Sequence, residues 1–157
     1  MNSKKTLFLV VVSILLAAAL AQGQTAGTLD LSGSISDSTS LSVTPEAVAS
    51  ALDLTTNANN LLVATVTEVS NLVGGYSITV LSNTGGFLRN TVDSNEEVAY
   101  TLKYDGVTVD LSALATPKSG AGVTAGYDSQ VVISFTGGVA TASGTYADTL
   151  TFTIVAT

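Results

Sequence analysis

The 157-residue sequence contains no cysteine, no histidine and no tryptophan, and only two prolines. Without cysteine it can form no disulfide, carry no lipid at a lipobox and offer no thiol nucleophile. Without histidine it lacks the commonest general base and the commonest transition-metal ligand. Charge is scarce too: five basic residues stand against twelve acidic ones. A surface of that sign repels nucleic acid and anionic lipid and favours solubility. What remains is dominated by Thr, Ser, Val, Ala and Gly, a composition suited to half-buried strands joined by small-residue turns.

The first residues read as a targeting segment. Lys4 and Lys5 form a positive n-region, Leu7 to Leu16 an apolar h-region, and Ala19-Leu20-Ala21 fits the small-x-small cleavage rule. The alternative, an uncleaved anchor, is opposed by the shortness of the apolar run and by polar Gln22-Gly23-Gln24 directly after it. Cleavage predicts a signal peptide over 1–21, export from the cytoplasm and a mature form that is not membrane-embedded. It leaves about 136 residues, enough for one domain with a hydrophobic core. Arg89, Lys103 and Lys118 are then the remaining bases beside all twelve acids.

Strand signals recur through the mature protein. Leu41 and Val43 alternate with polar residues after a break at Ser36-Asp37-Ser38. Glu46 to Leu52, after Pro45, fits a helical turn or two, or a loop. Asn57 to Asn60 reads as a turn and Leu61 to Val69 as a strand. Val73-Gly74-Gly75 turns into Tyr76 to Val80, with Tyr76, Ile78 and Val80 on one face, and Asn83-Thr84-Gly85-Gly86 ends that strand. The clearest element is a hairpin, Val98 to Tyr104 and Val107 to Leu111, around Asp105-Gly106. That pair favours a two-residue type I′ loop. Its register sets Tyr104 opposite Val107, Leu102 opposite Val109 and Tyr100 opposite Leu111, all on one face. Ser112 to Gly126 reads as a flexible stretch, and Gln130 to Phe135 as a strand burying Val131, Ile133 and Phe135. About seven or eight short strands without an internal repeat predict an all-β sandwich.

Candidates for chemistry are few. Two carboxylates can hydrolyse glycosides, but most of the acids fall at turns or on predicted polar strand faces, as do Asp30, Glu68 and Asp110. No tryptophan accompanies them to hold a sugar, so no enzyme and no cofactor is expected. Asp93-Ser94-Asn95-Glu96-Glu97 offers oxygen ligands for calcium but lacks the glycine and spacing of an EF-hand loop, and a solvated turn fits it better. No glycine-rich stretch ends in the Gly-Lys-Ser/Thr of a phosphate loop. Tyr76, Tyr100 and Tyr104 fall on apolar faces, which suits a core role better than a ligand surface.

The strongest pattern lies at the two ends of the mature protein. Gly27-Thr28-Leu29-Asp30-Leu31-Ser32-Gly33-Ser34-Ile35 alternates apolar and polar residues, with Gly33 on the apolar face between Leu31 and Ile35. Glycine weakens a strand unless something approaches closely there. At the other end, Gly144 lies fourteenth from the C-terminus, followed in phase by Tyr146, Leu150, Phe152 and Ile154. These segments, with Gly75 to Val80 and the Tyr100 to Leu111 hairpin, resemble the chaperone–usher pilins of bacterial fimbriae. The likeness is to the cysteine-free type and to the related spore-coat-protein-U-like domains. Ala156 stands where many pilins have a penultimate aromatic, and the disulfide that follows the donor segment in that family is absent.

The resemblance implies an immunoglobulin-like β-sandwich, incomplete in itself and completed by donor-strand exchange. It implies a donor extension over 22–36 and a sandwich domain over 37–157. Leu29, Leu31, Gly33 and Ile35 would be the donor positions. Gly144, Tyr146, Leu150, Phe152 and Ile154 would belong to the C-terminal strand along the acceptor groove. The implied partners are neighbouring pilin subunits in a homopolymer, a periplasmic chaperone and an outer-membrane usher. The implied place is an extracellular fimbria reached through the periplasm, and the implied role is surface adhesion. Two other readings compete: a monomeric secreted binding module whose first segment folds into its own sheet, and a surface-coat or matrix protein using the same fold in another lattice.

Overall fold

The computed structural model describes residues 27–140 and 142–157. The predicted signal peptide and the first residues of the predicted donor extension, up to Ala26, lie outside them. The protein divides into two units at the Ile35–Ser36 boundary. In the first, residues 27–35 join no strand, and Leu29, Leu31 and Ile35 expose 82%, 85% and 89% of their surface. The alternation there predicts a strand, but a strand exists only through its ladder, and this segment makes none among the described residues.

The second unit is all-β. Its strands are β1 (Thr39–Pro45), β2 (Ala58–Ser70), β3 (Tyr76–Ser82), β4 (Phe87–Asn90), β5 (Glu97–Tyr104) and β6 (Val107–Val109). Then follow β7 (Ala115–Ala121), β8 (Thr124–Phe135), β9 (Tyr146–Ala147) and β10 (Leu150–Ala156). One antiparallel sheet runs β1-β2-β8-β5-β4-β9, with β6 paired to β5, and the second runs β10-β3-β7. The core lies between them. Val66, Val98, Leu102, Tyr104 and Val131 of the first sheet and Tyr76, Ile78 and Val80 of the second are fully buried. The Tyr104 and Phe152 rings meet across the sheets at 5.9 Å between centroids.

Local sequence accounts for the best-defined turn. Asp105 and Gly106 both adopt positive φ, 48° and 82°, as a type I′ loop requires. The expected pairs Tyr104–Val107 and Leu102–Val109 form. The ladder stops before the expected third pair, although Tyr100 and Leu111 are both buried. Glu46 to Leu52 holds a single 3-10 turn, Ala47–Ser50. The expected turn at Asn57 to Asn60 is absorbed into β2 as an irregular start, with Asn60 at φ 49°.

Three expectations are corrected. Ser112 to Gly126 is not a flexible stretch: it holds β7 and the start of β8. The apolar period is absent because β7 is built of small residues and slips register against β3 at two places. The C-terminal strand is two strands, not one. The backbone leaves the first sheet after β9, crosses at Asp148-Thr149, and joins the second as β10. Glu68 does not sit on a polar face but is completely buried, because Tyr104 and Ser129 of its own sheet and Tyr76 and Lys118 of the opposite one supply its partners.

Candidate assembly groove

Both β1 and β10 are sheet edges, each paired on one side only among the described residues. Residues paired across an antiparallel ladder share a face, which allows a direct comparison of edge with interior. Val43 of β1 is 44% exposed, whereas its partner Val66 on β2 is 0% exposed. Phe152 and Ile154 of β10 are half-buried, whereas their partners Val80 and Ile78 on β3 are fully buried. The apolar face of each sheet is therefore less covered at these edges than at the paired interior strands.

The two edges touch along part of their length and flank a cleft of about 270 Å³. Val43 and Pro45 form one wall, Leu150 and Phe152 the other, and Val63, Tyr100 and Ile133 line the floor. A second cleft of about 640 Å³ adjoins it, sharing Ala49, Leu52, Leu88 and Asp148. Of the residues expected along the groove, Leu150 and Phe152 line the first cleft, and Gly144 and Tyr146 line the second. Ile154 is half-buried farther along β10. Gly144 precedes β9, at φ 149°, where an added Cβ would meet the Asn90 Nδ2 at 2.7 Å. Close approach to Asn90 explains the glycine at that place.

Natural sheets blunt long exposed edges with charge, proline or bulges. The outer edge of the second sheet obeys this rule: β7 carries Pro117 and Lys118 and two register shifts. By contrast, β10 reads Leu-Thr-Phe-Thr-Ile-Val-Ala, holds no charge or proline, and pairs with β3 without a shift. β1 is likewise uncharged and unshifted, though it ends in Pro45.

One carboxylate, Asp148, lines the first cleft, and it is already occupied. Asp148 accepts from the Ser82 hydroxyl at 2.6 Å, the Tyr100 hydroxyl at 2.5 Å, and the N–H groups of Thr84 and Thr149 at 3.2 and 2.7 Å. Burial opposes its ionisation, but these bonds outweigh burial and hold it below the usual carboxylate range. Burial, then the hydrogen bond to Asp148, pushes the Tyr100 phenol up. With Asp148 satisfied, the cleft walls that remain favour an apolar occupant.

Sequence reasoning missed a buried polar cluster between the two sheets. Glu68 accepts from the hydroxyls of Tyr76 and Tyr104, each at 2.5 Å, and from Ser129 at 2.7 Å, and it pairs with Lys118 Nζ at 2.8 Å. Lys118 also lies 3.8 Å from the Tyr127 ring centroid, a cation–π distance. The cluster joins β2, β5 and β8 of one sheet to β3 and β7 of the other. Desolvation raises the Glu68 pKa, but Lys118 and the three hydroxyls outweigh it and keep the carboxylate below its ordinary range. The only signal in the sequence was a lone lysine inside an otherwise uncharged Ala115 to Ala121 stretch.

In the acidic loop Asp93 Oδ1 accepts from the Asn95 N–H at 3.0 Å and its Nδ2 at 3.1 Å, the Glu96 carboxylate accepts from the Ala142 N–H at 3.3 Å, and Glu97 pairs with Arg89 at 3.4 Å. Among the described residues no helix is long and apolar enough to cross a membrane. No protein-family model and no curated protein matches the sequence.

Proposed function

We propose that this protein is a structural subunit of an extracellular fimbria, exported through the periplasm, that polymerises by β-strand addition and supports surface adhesion. In this reading Gly27 to Ile35 of one copy enters the groove between β1 and β10 of the next, supplying the strand that both edges lack. Backbone hydrogen bonds would give affinity, and Leu29, Leu31 and Ile35 would fill alternate pockets, with Gly33 where the groove is shallow. A periplasmic chaperone would cover the groove before assembly, and an outer-membrane usher would exchange it for the next subunit.

The observation that carries the reading is the pairing of two unsatisfied features. Two uncharged edge strands leave apolar side chains half-exposed, while an alternating segment of the same molecule leaves three apolar side chains more than four-fifths exposed. Burying each of those three is worth about 1.5–3 kcal/mol.

The test compares the protein starting at Gln22 with a form lacking residues 22–36 and with Leu31→Asp, by negative-stain microscopy and size-exclusion chromatography. Thin fibres from the parent and none from either variant are expected. Fibres from the deleted form would refute the donor assignment. A parent that stays monodisperse would favour a secreted binding module, and flat arrays would favour a coat protein.

A further inference from the structure

At Asn71 the backbone leaves β2 and turns towards β3, so β1 loses its partner strand beyond the Thr39–Ser70 pair. The ladder nevertheless continues. The Asn71 N–H donates to the Ser38 carbonyl at 3.1 Å. The Asn71 side-chain oxygen accepts from the Ser38 N–H at 2.7 Å, and its Nδ2 donates to the Ser36 carbonyl at 2.8 Å. In an antiparallel ladder those two positions would be filled by the backbone carbonyl of residue 71 and the N–H of residue 73. The side-chain amide of Asn71 therefore stands in for a peptide group that has turned away, and it holds Ser36 to Ser38 extended in line with β1.

That has a consequence for where the donor segment can go. To fill the groove of its own molecule, Gly27 to Ile35 would have to lie beside β1, which requires a reversal directly before Thr39. Ser36-Asp37-Ser38 supplies the residue types for such a turn, and it is this stretch that Asn71 keeps extended. Reversal farther back would consume Ile35 and Gly33, and with them the apolar positions that match the groove. We infer that Asn71 is a positioning residue that opposes self-complementation and so reserves the donor segment for a second copy. The inference rests on the assembly reading above.

The experiment uses the protein starting at Gln22 and its Asn71→Ala variant, refolded at low concentration. Monomer and polymer are separated by size-exclusion chromatography, and amide hydrogen exchange is read over residues 27–35 of the monomer. Losing two hydrogen bonds of ordinary strength should raise the monomer-to-polymer ratio about tenfold, and the donor amides of those monomers should become protected. Asn71→Asp keeps the acceptor for Ser38 and loses the donor to Ser36, so it should fall between; it also serves if Asn71→Ala folds poorly. An unchanged ratio would overturn the inference. So would extra monomer with unprotected donor amides, since that is simple damage to the fold. Failure of the assembly reading is seen separately, as fibres formed without residues 22–36.

Discussion

Replacing Lys118 by methionine should invert the acid-side pH dependence of this protein's stability. In the native protein Glu68 is fully buried and receives four charged or hydroxyl donors. Its folded pKa is below its unfolded value. Its contribution to stability is thus present above the unfolded pKa and lost as the pH falls through the folded one. Lys118→Met leaves the methylene packing largely in place but strands a carboxylate away from water. Removing one partner of a buried pair costs about 3–5 kcal/mol. Three hydroxyl donors remain here, so a loss near the lower end, about 3 kcal/mol, is expected at neutral pH. With its counter-charge gone, burial should outweigh the three remaining hydroxyls and leave Glu68 easier to protonate than in the unfolded state. The stability of the variant should therefore rise as the pH is lowered from about 7 towards about 4, where the parent is flat or falling. Urea melts at several pH values, followed by tyrosine fluorescence, measure both effects. Adding Glu68→Gln to Lys118→Met removes the stranded charge and should recover a large part of the loss. A Lys118→Met variant within about 0.5 kcal/mol of the parent at neutral pH, with an unchanged pH slope, would refute the assignment of this cluster as the tie between the sheets.

Two further outcomes follow from single residues. Asp148→Ala removes the acceptor of Ser82 and Tyr100 at the crossing between the sheets, and should lower stability by about 2–3 kcal/mol in the same urea assay. Because the folded pKa of Asp148 is depressed, the parent's advantage over this variant should shrink as the pH falls below the carboxylate range. Gly106→Ala meets open space but a φ of 82°, so it should cost about 1–2 kcal/mol from backbone conformation alone. A neutral result there would mean that the hairpin loop is not held in its type I′ form.

Legibility in the sequence followed local chemistry. The Asp105-Gly106 hairpin and the buried faces of β3 and β8 were readable because turn preference and a two-residue apolar period act within a few residues. Register slips hid β7, where Ala, Ser and Gly give no period to read. Buried Glu68 was illegible for a different reason. A carboxylate on a strand looks solvent-facing until the partner sheet brings Tyr76 and Lys118 to it, and that pairing is not local. The groove was half legible. Leu150, Phe152 and Ile154 could be placed on one face of a strand, but only the sheet order reveals that β10 is an edge and that β1 lies across the cleft from it. The break at Asp148-Thr149 left no trace in the alternation, because Tyr146 and Leu150 keep the same phase on both sides of it.

The unshifted ladder between β10 and β3 also has a mechanical meaning. Seven consecutive residue pairs lie side by side without a bulge. In the proposed polymer, tension along the fibre would run parallel to the donor strand and to β10. Such a load is shared by every rung at once instead of opening rungs one after another, as peeling from an end would do. A bulge in β10 would concentrate the force at one point, as the slips in β7 would if that strand were loaded. In the proposed polymer the regularity of β10, matched by the seven unshifted pairs of β1 with β2, would suit both edges to passing pull from one subunit to the next.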